Sequence, residues 1–288
     1  MGLVVFDIGG TAVKHGYFSN EVLAHQGKFP TPVTFENMKE EMLSVIKALR
    51  KTKTVEGVAI SAPGAVNVNE RRIDGISAVP YLHNRPIFDE LEDFFDLPVT
   101  IENDANCAGI AEIELGAGKE ANNVVFMVLG TGVGGSVFIN RQIYKGAHLF
   151  AGEFGLMRNG KPKTLSNVGT IVKVANKYNE TTNKSVTGKE IFELAEAGDS
   201  LAKELMDEMY DAIAESLYSI QVSIDPELVI IGGGMSARKE VADEISQRLL
   251  VLLEKGSVPE ILPMIKTCHF SNDANLIGAA MNYMNQQK

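Results

Sequence analysis

Apolar residues at Leu3, Val4, Val5 and Phe6 give way to Asp7 and the glycine pair Gly9 and Gly10, and a β-rich run resumes at Thr11. This predicts strand, tight turn, strand. From Phe35 to Arg50 the period changes, with Met38, Met42, Val45, Ile46 and Leu49 falling on one face of an amphipathic helix. "VEGVAISAPGAV" then reads as a buried strand leading into a turn at Pro63 and Gly64. "IFDELEDFFDLPVTIEND" reads as a short helix stopped before Pro98 and a strand ending at Glu102. "ANCAGIAEIELGAG" resumes helix and closes on Gly116 and Gly118.

The second half begins in the same way. "NNVVFMVLGTGVGGSVFINRQIYKG" is strand, glycine turn and strand, then a hairpin around Asn140 and Arg141. A helix is expected from Leu165 or Val168 to Tyr178, and "TGKE" at Thr187 to Glu190 has the spacing of a capping box. Leu201, Leu205, Met209, Ile213, Leu217, Ile220 and Ile224 mark the longest helix, ended by Pro226. "ELVIIGGG" is a short buried strand running into a glycine loop, and helix, strand and helix come after it, the last from Ala274 to Asn285. Two blocks that each open on a glycine-turn hairpin predict two α/β domains facing each other across a cleft. Residues 1–106, completed by the C-terminal helix 274–288, would form the first and residues 107–273 the second.

Composition narrows the function. The 288 residues carry a formal net charge of -10, which leaves no basic field for a phosphate backbone, so no nucleic-acid partner is expected. The two cysteines, Cys107 and Cys268, lie too far apart in sequence for a local metal site and suit a reducing compartment. With no leader-like segment and no run long enough to cross a bilayer, the expectation is a cytoplasmic protein without a membrane partner.

"LGTGVGG" contains a literal G-x-G-x-x-G at Gly130, Gly132 and Gly135. That dinucleotide pattern works only where the glycines turn a strand into a helix, and "SVFI" after Gly135 prefers a strand. What survives is a turn whose N–H groups, with Gly130, Thr131 and Gly132 at its tip, can face an anion. "DIGGT" has the same design with a carboxylate added: Asp7 can hold a hydrated divalent cation through water, while Gly9, Gly10 and Thr11 approach phosphate oxygens and Lys14 adds charge. Neither loop is a P-loop. Each taken singly also reads as a tight hairpin turn; two of them at equivalent places, joined by a third loop from Gly232 through Gly233 to Gly234, favour phosphate. In "IENDANC", Asp104 suits removal of a hydroxyl proton and Asn103 its orientation, although either residue equally suits a helix N-cap. Glu153, in "AGEFG", suits vicinal hydroxyls, and the five histidines form no ligand spacing.

Together "FDIGGTAVK", "SAPGAV", "IENDANCAGIAE", "LGTGVGG", "AGEFG" and "VIIGGG" resemble, in order and over almost the full chain, the ROK family of bacterial sugar kinases and repressors. The resemblance implies an α/β, ribonuclease H-like fold of the sugar kinase, Hsp70 and actin type, with ATP and sugar bound between two domains. It implies that Asp7, Gly9, Gly10, Thr11 and Lys14 form the first phosphate motif, that Gly130, Thr131 and Gly132 form the second, and that Gly233 and Gly234 belong to the adenosine motif. Asp104 would be the general base, Asn103 and Glu153 would hold sugar hydroxyls, and Pro63 and Gly64 would lie beneath the sugar. ATP, Mg²⁺ held through water at Asp7, and a homodimer are further expectations carried by the resemblance.

The departures narrow it. Family glucokinases carry a histidine that binds both sugar and structural zinc where this chain has Leu156, and no cysteine occurs from Ala108 to Thr267, so no structural zinc site is expected. The chain is most similar to the zinc-less β-glucoside kinase branch, which phosphorylates the 6-hydroxyl of the glucosyl unit of cellobiose or a related sugar. Leu156 would then leave room and an apolar wall for a second ring. Glucokinase, N-acetylmannosamine kinase and fructokinase activities are alternatives within the family. A sugar-sensing regulator is the alternative outside catalysis, disfavoured because Asp7 comes before any room for a DNA-binding segment, and an ATPase without an acceptor is a third class.

Overall fold

A computed structural model describes residues 1–160 and 162–287. The chain divides into two compact units: Met1–Gly116 with Gly146–Phe150 and Asn272–Lys288, and Ala117–Lys145 with Ala151–Ser271.

In the first unit β1 (Gly2–Ile8), β2 (Ala12–Ser19) and β3 (Val22–Pro30) form an antiparallel meander. After α1 (Phe35–Arg50), β4 (Gly57–Ala62) pairs parallel to β1; the short hairpin β5 (Ala65–Asn67) and β6 (Arg72–Asp74) comes next, then α2 (Ile87–Phe95), β7 (Val99–Asn103) and α3 (Asp104–Glu114). The sheet order is β3-β2-β1-β4-β7. Side chains alternate across it. Val4, Phe6, Ile8, Val58, Ile60 and Ile101 pack under α1 and α2 with Phe35, Met38, Met42, Ile46 and Leu91. The opposite face therefore receives Asp7, Ser61 and Glu102, which are register partners in neighbouring strands.

The second unit repeats the topology. β8 (Val124–Leu129), β9 (Val133–Ile139) and β10 (Gln142–Tyr144) form the meander, and α4 (Leu165–Val168), α5 (Ile171–Thr182), α6 (Gly188–Glu196) and α7 (Ser200–Ile224) lead to β11 (Leu228–Gly232). β11 lies parallel to β8, and beyond α8 (Lys239–Lys255) β12 (Met264–Thr267) completes the order β10-β9-β8-β11-β12. The apolar stripe of α7, from Leu205 through Met209 and Ile213 to Ile220, packs with Val125, Met127, Val229 and Ile231 of the sheet.

The final helix, α9 (Ala274–Gln286), belongs to the first unit, where Leu276 to Tyr283 are all buried. Its approach to α3 is close: a Cβ on Gly278 would stand 1.7 Å from the carbonyl oxygen of Cys107, so only glycine fits. That packing keeps α3 in the first unit and puts the division at Gly116, whereas the sequence pattern placed it at Asn106. Lys288, the last residue of the expected C-terminal helix, lies outside the described residues.

Other differences have local causes. The expected helix up to Tyr178 is two helices, because Gly169 ends α4 and the Thr170 side chain accepts from Lys173 N to cap α5. β3, which the sequence pattern did not predict, is half exposed and contains Gly27; its signal is the turn at Asn20 and Glu21, both with positive φ. Among the described residues no helix is long and apolar enough to cross a membrane.

Candidate active site

In the first unit the parallel strands β1, β4 and β7 end on a polar stripe running from Asp7 through Ser61 to Glu102. Asp7 is only 7% exposed, and its Oδ1 accepts from Ser61 Oγ and Asn275 Nδ2, each at 2.9 Å. Its Oδ2 faces Lys14 Nζ at 3.5 Å, across the β1–β2 register. Lys14 also donates to the carbonyl of Asn272 at 3.2 Å. The carboxylate is thus turned by two donors on one oxygen, and the other is left toward a cation. In the turn itself Gly9 N donates to Ala12 O at 3.1 Å, while Gly10 and Thr11 are exposed.

Glu102 is 2% exposed, and its Oε1 accepts from Asn103 N and Asn106 Nδ2, both at 2.9 Å. These bonds set the corner at which β7 becomes α3. Asn103 is the N-cap: its Oδ1 accepts from Asn106 N at 3.1 Å, and its Nδ2 donates to Gly64 O at 3.0 Å, tying the loop of Pro63 and Gly64 to the corner. One acceptor and one donor position of that carboxamide remain for a ligand. Asp104 is next, half-buried, with Oδ1 accepting from Ala105 N at 2.8 Å and its negative charge on the positive end of the helix dipole. Cys107, one turn on, is buried. Burial and the carboxylates of Glu102, Asp7 and Asp104 push its thiol well above the usual range, so it stays neutral.

In the second unit the turn of Gly130, Thr131 and Gly132 is closed by Gly130 N donating to Gly132 O at 2.9 Å. Gly233, at φ +90°, lies against Leu129, where a Cβ would be 2.4 Å from the carbonyl oxygen, so the loop of Gly233 and Gly234 abuts the residue that leads into that turn. Glu153 is exposed on a segment laid along β9: Cβ atoms on Gly152 and Gly155 would stand 2.4 Å from Gly135 O and 2.2 Å from Val133 O. Leu156 ends this short turn, its N donating to Glu153 O at 3.1 Å and its side chain 61% exposed.

The glycines of "LGTGVGG" therefore have different reasons to be glycine. At Gly135 a Cβ would meet Phe126 O at 2.4 Å and the Phe154 ring at 2.6 Å, a demand of packing. At Gly130 the nearest atom to a Cβ is 3.9 Å away and φ is not positive, so the unit itself imposes no such demand. The sequence pattern did not single out Ser61, Asn275 or Ser166, which fix Asp7 and β9 through hydroxyl or carboxamide groups. Ser61, within "SAPGAV", and Asn275, at the start of α9, are visible only through register and tertiary packing.

A model of the ROK family matches residues 3–286. The chain belongs to the ROK family. It is 33% identical over 301 residues to a beta-glucoside kinase of Listeria monocytogenes, covering 100% of this chain and 99% of that protein. A ROK family protein from Streptococcus pneumoniae, solved in complex with sucrose, is similar with a TM-score of 0.89 and 30% identity, covering 100% of this chain and 99% of that one. A ROK family glucokinase from Streptomyces griseus, solved with glucose and AMPPNP, has a TM-score of 0.80 and 26% identity, with 100% of both chains covered. The chain has the actin-like two-domain fold of ROK sugar kinases, one five-stranded sheet in each unit.

Gly135→Ala is expected to lower Tm by about 2–5 °C, since overpacking typically costs about 1–3 kcal/mol. Gly130→Ala should leave Tm unchanged or slightly higher. Equal losses in thermal unfolding scans would contradict this division of roles.

Proposed function

We propose that the protein transfers the γ-phosphoryl group of ATP to the 6-hydroxyl of the non-reducing glucosyl unit of a β-glucoside such as cellobiose. That it is an ATP-dependent carbohydrate kinase follows from its family and its kinase relatives. The finer reading is carried by Leu156, an exposed apolar side chain at the end of the turn that begins at Glu153. A pyranose ring has apolar C–H faces, so an aliphatic surface beside a hydroxyl-binding carboxylate suits a second ring better than it suits bulk water. The name of the Listeria monocytogenes relative supports the same choice.

In this reading Asp104 takes the proton of the attacking hydroxyl, the Asn103 carboxamide donates to or accepts from a neighbouring hydroxyl, the Glu153 carboxylate accepts from others, and Pro63 and Gly64 lie beneath the ring. Gly9, Gly10, Thr11 and Lys14 with Gly130, Thr131 and Gly132 receive the phosphates, and Gly233 and Gly234 the adenosine. Mg²⁺ suits the first motif as a hydrated ion. Oδ1 of Asp7 is occupied by two donors and Oδ2 keeps acceptor capacity, while among the described residues no three His, Cys, Asp or Glu side chains group as a metal cage. Bound there, Mg²⁺ would neutralise charge on the phosphate oxygens.

In a coupled ADP-release assay, kcat/KM for cellobiose should exceed that for glucose by about tenfold or more. A preference for glucose would remove the β-glucoside assignment and leave the kinase intact. Asp104→Asn should lower kcat by about 10³-fold while sugar affinity, followed by calorimetry, stays within about threefold. Near-normal turnover in that variant would take the base role away from Asp104.

A further inference from the structure

α4 is one turn long, and its second residue, Ser166, directs its hydroxyl onto β9. Ser166 Oγ accepts from Val133 N at 2.9 Å and donates to Val133 O at 3.3 Å, so both polar atoms of Val133 are bound by one side chain. Val133 is the residue on which the Gly130–Gly132 turn lands. The same oxygen also meets the Glu153 segment: a Cβ on Gly155 would stand 2.3 Å from Ser166 Oγ, and a Cβ on Gly132 would stand 3.3 Å from it. Three pieces of the second unit, the glycine turn, the Glu153–Leu156 turn and α4, therefore converge on one hydroxyl.

α4 is held independently of that hydroxyl. Leu165 is buried, its N donates to Met157 O at 2.7 Å, and Asn167 Oδ1 accepts from Thr164 N and Thr164 Oγ1. The helix thus has anchors besides Ser166, and the Ser166 hydroxyl adds a polar bridge to the direct packing of Gly155 on Val133. From this we infer that Ser166 is a positioning residue that couples sugar binding to ATP binding. The inference rests on Glu153 as a sugar ligand and Gly130–Gly132 as a phosphate loop. A sugar engaging Glu153 bears on residues 152–156, and through Gly155 and Ser166 on Val133 and so on the amides of the glycine turn. Nucleotide then binds a turn already biased by the sugar, and linkage makes the effect reciprocal.

Calorimetric titration of AMPPNP into the wild type, Ser166→Ala and Asn167→Ala, each alone and with saturating cellobiose or glucose, tests the coupling. Asn167→Ala loosens the capping box of α4 without touching Val133, and so controls for local destabilisation. One of the two sugars should tighten AMPPNP by about tenfold in the wild type and in Asn167→Ala, and by less than about twofold in Ser166→Ala. Wild-type coupling in Ser166→Ala, an equal loss in both variants, or no coupling in the wild type overturns the inference. A wild type that binds neither AMPPNP nor either sugar overturns the functional reading beneath it, and the inference falls with it.

Discussion

The first unit is organised around the Asp7 carboxylate, a buried charge held at the end of a central strand. A carboxylate at 7% exposure is costly unless its oxygens are bonded or paired; Ser61 and Asn275, from two different elements, bond Oδ1, and Lys14 faces Oδ2. The constraint reaches far along the chain. Asn275 is delivered by α9, and α9 can lie there only because Gly278 lets it reach the backbone of α3. α3 in turn begins at the Asn103–Asp104 corner, fixed by buried Glu102. One carboxylate thus ties the N-terminal strand, the last helix and the Asn103–Asp104 corner into a single polar edge.

The second unit builds a comparable edge by other means. Its sheet has the same order and strand directions, but where the first unit uses a buried charge, the second uses glycines that allow backbones to approach. Gly152 and Gly155 lay the Glu153 segment against β9, and Gly233 lays its loop against Leu129.

Much of this was legible in the sequence, and the exceptions share a cause. The glycine turns, the long helix to Ile224 and the corner after Glu102 are local, and local periodicity and capping chemistry reveal them. The G-x-G-x-x-G pattern could be rejected because the chain continues past Gly135 as a strand, and the structure adds that Gly135 is a packing residue. Asn103 was open between cap and ligand on sequence grounds; its carboxamide caps α3 and also tethers Gly64. Ser61, Asn275 and Ser166 escaped notice because short polar side chains acquire roles only through partners distant in sequence. The boundary at Gly116 escaped for the same reason, being set by helix packing across more than half the chain. β3 is marked only by the positive-φ turn at Asn20 and Glu21, with a weak exposed pattern behind it.

Which bond forms on transfer can be read by phosphorus-detected NMR. After incubation of the protein with ATP, Mg²⁺ and cellobiose, a proton–phosphorus correlation spectrum should show the new phosphate coupled to the two H6 protons of the non-reducing glucosyl unit. Phosphate on any other carbon, or ADP accompanied only by inorganic phosphate, would rule out transfer to the 6-hydroxyl.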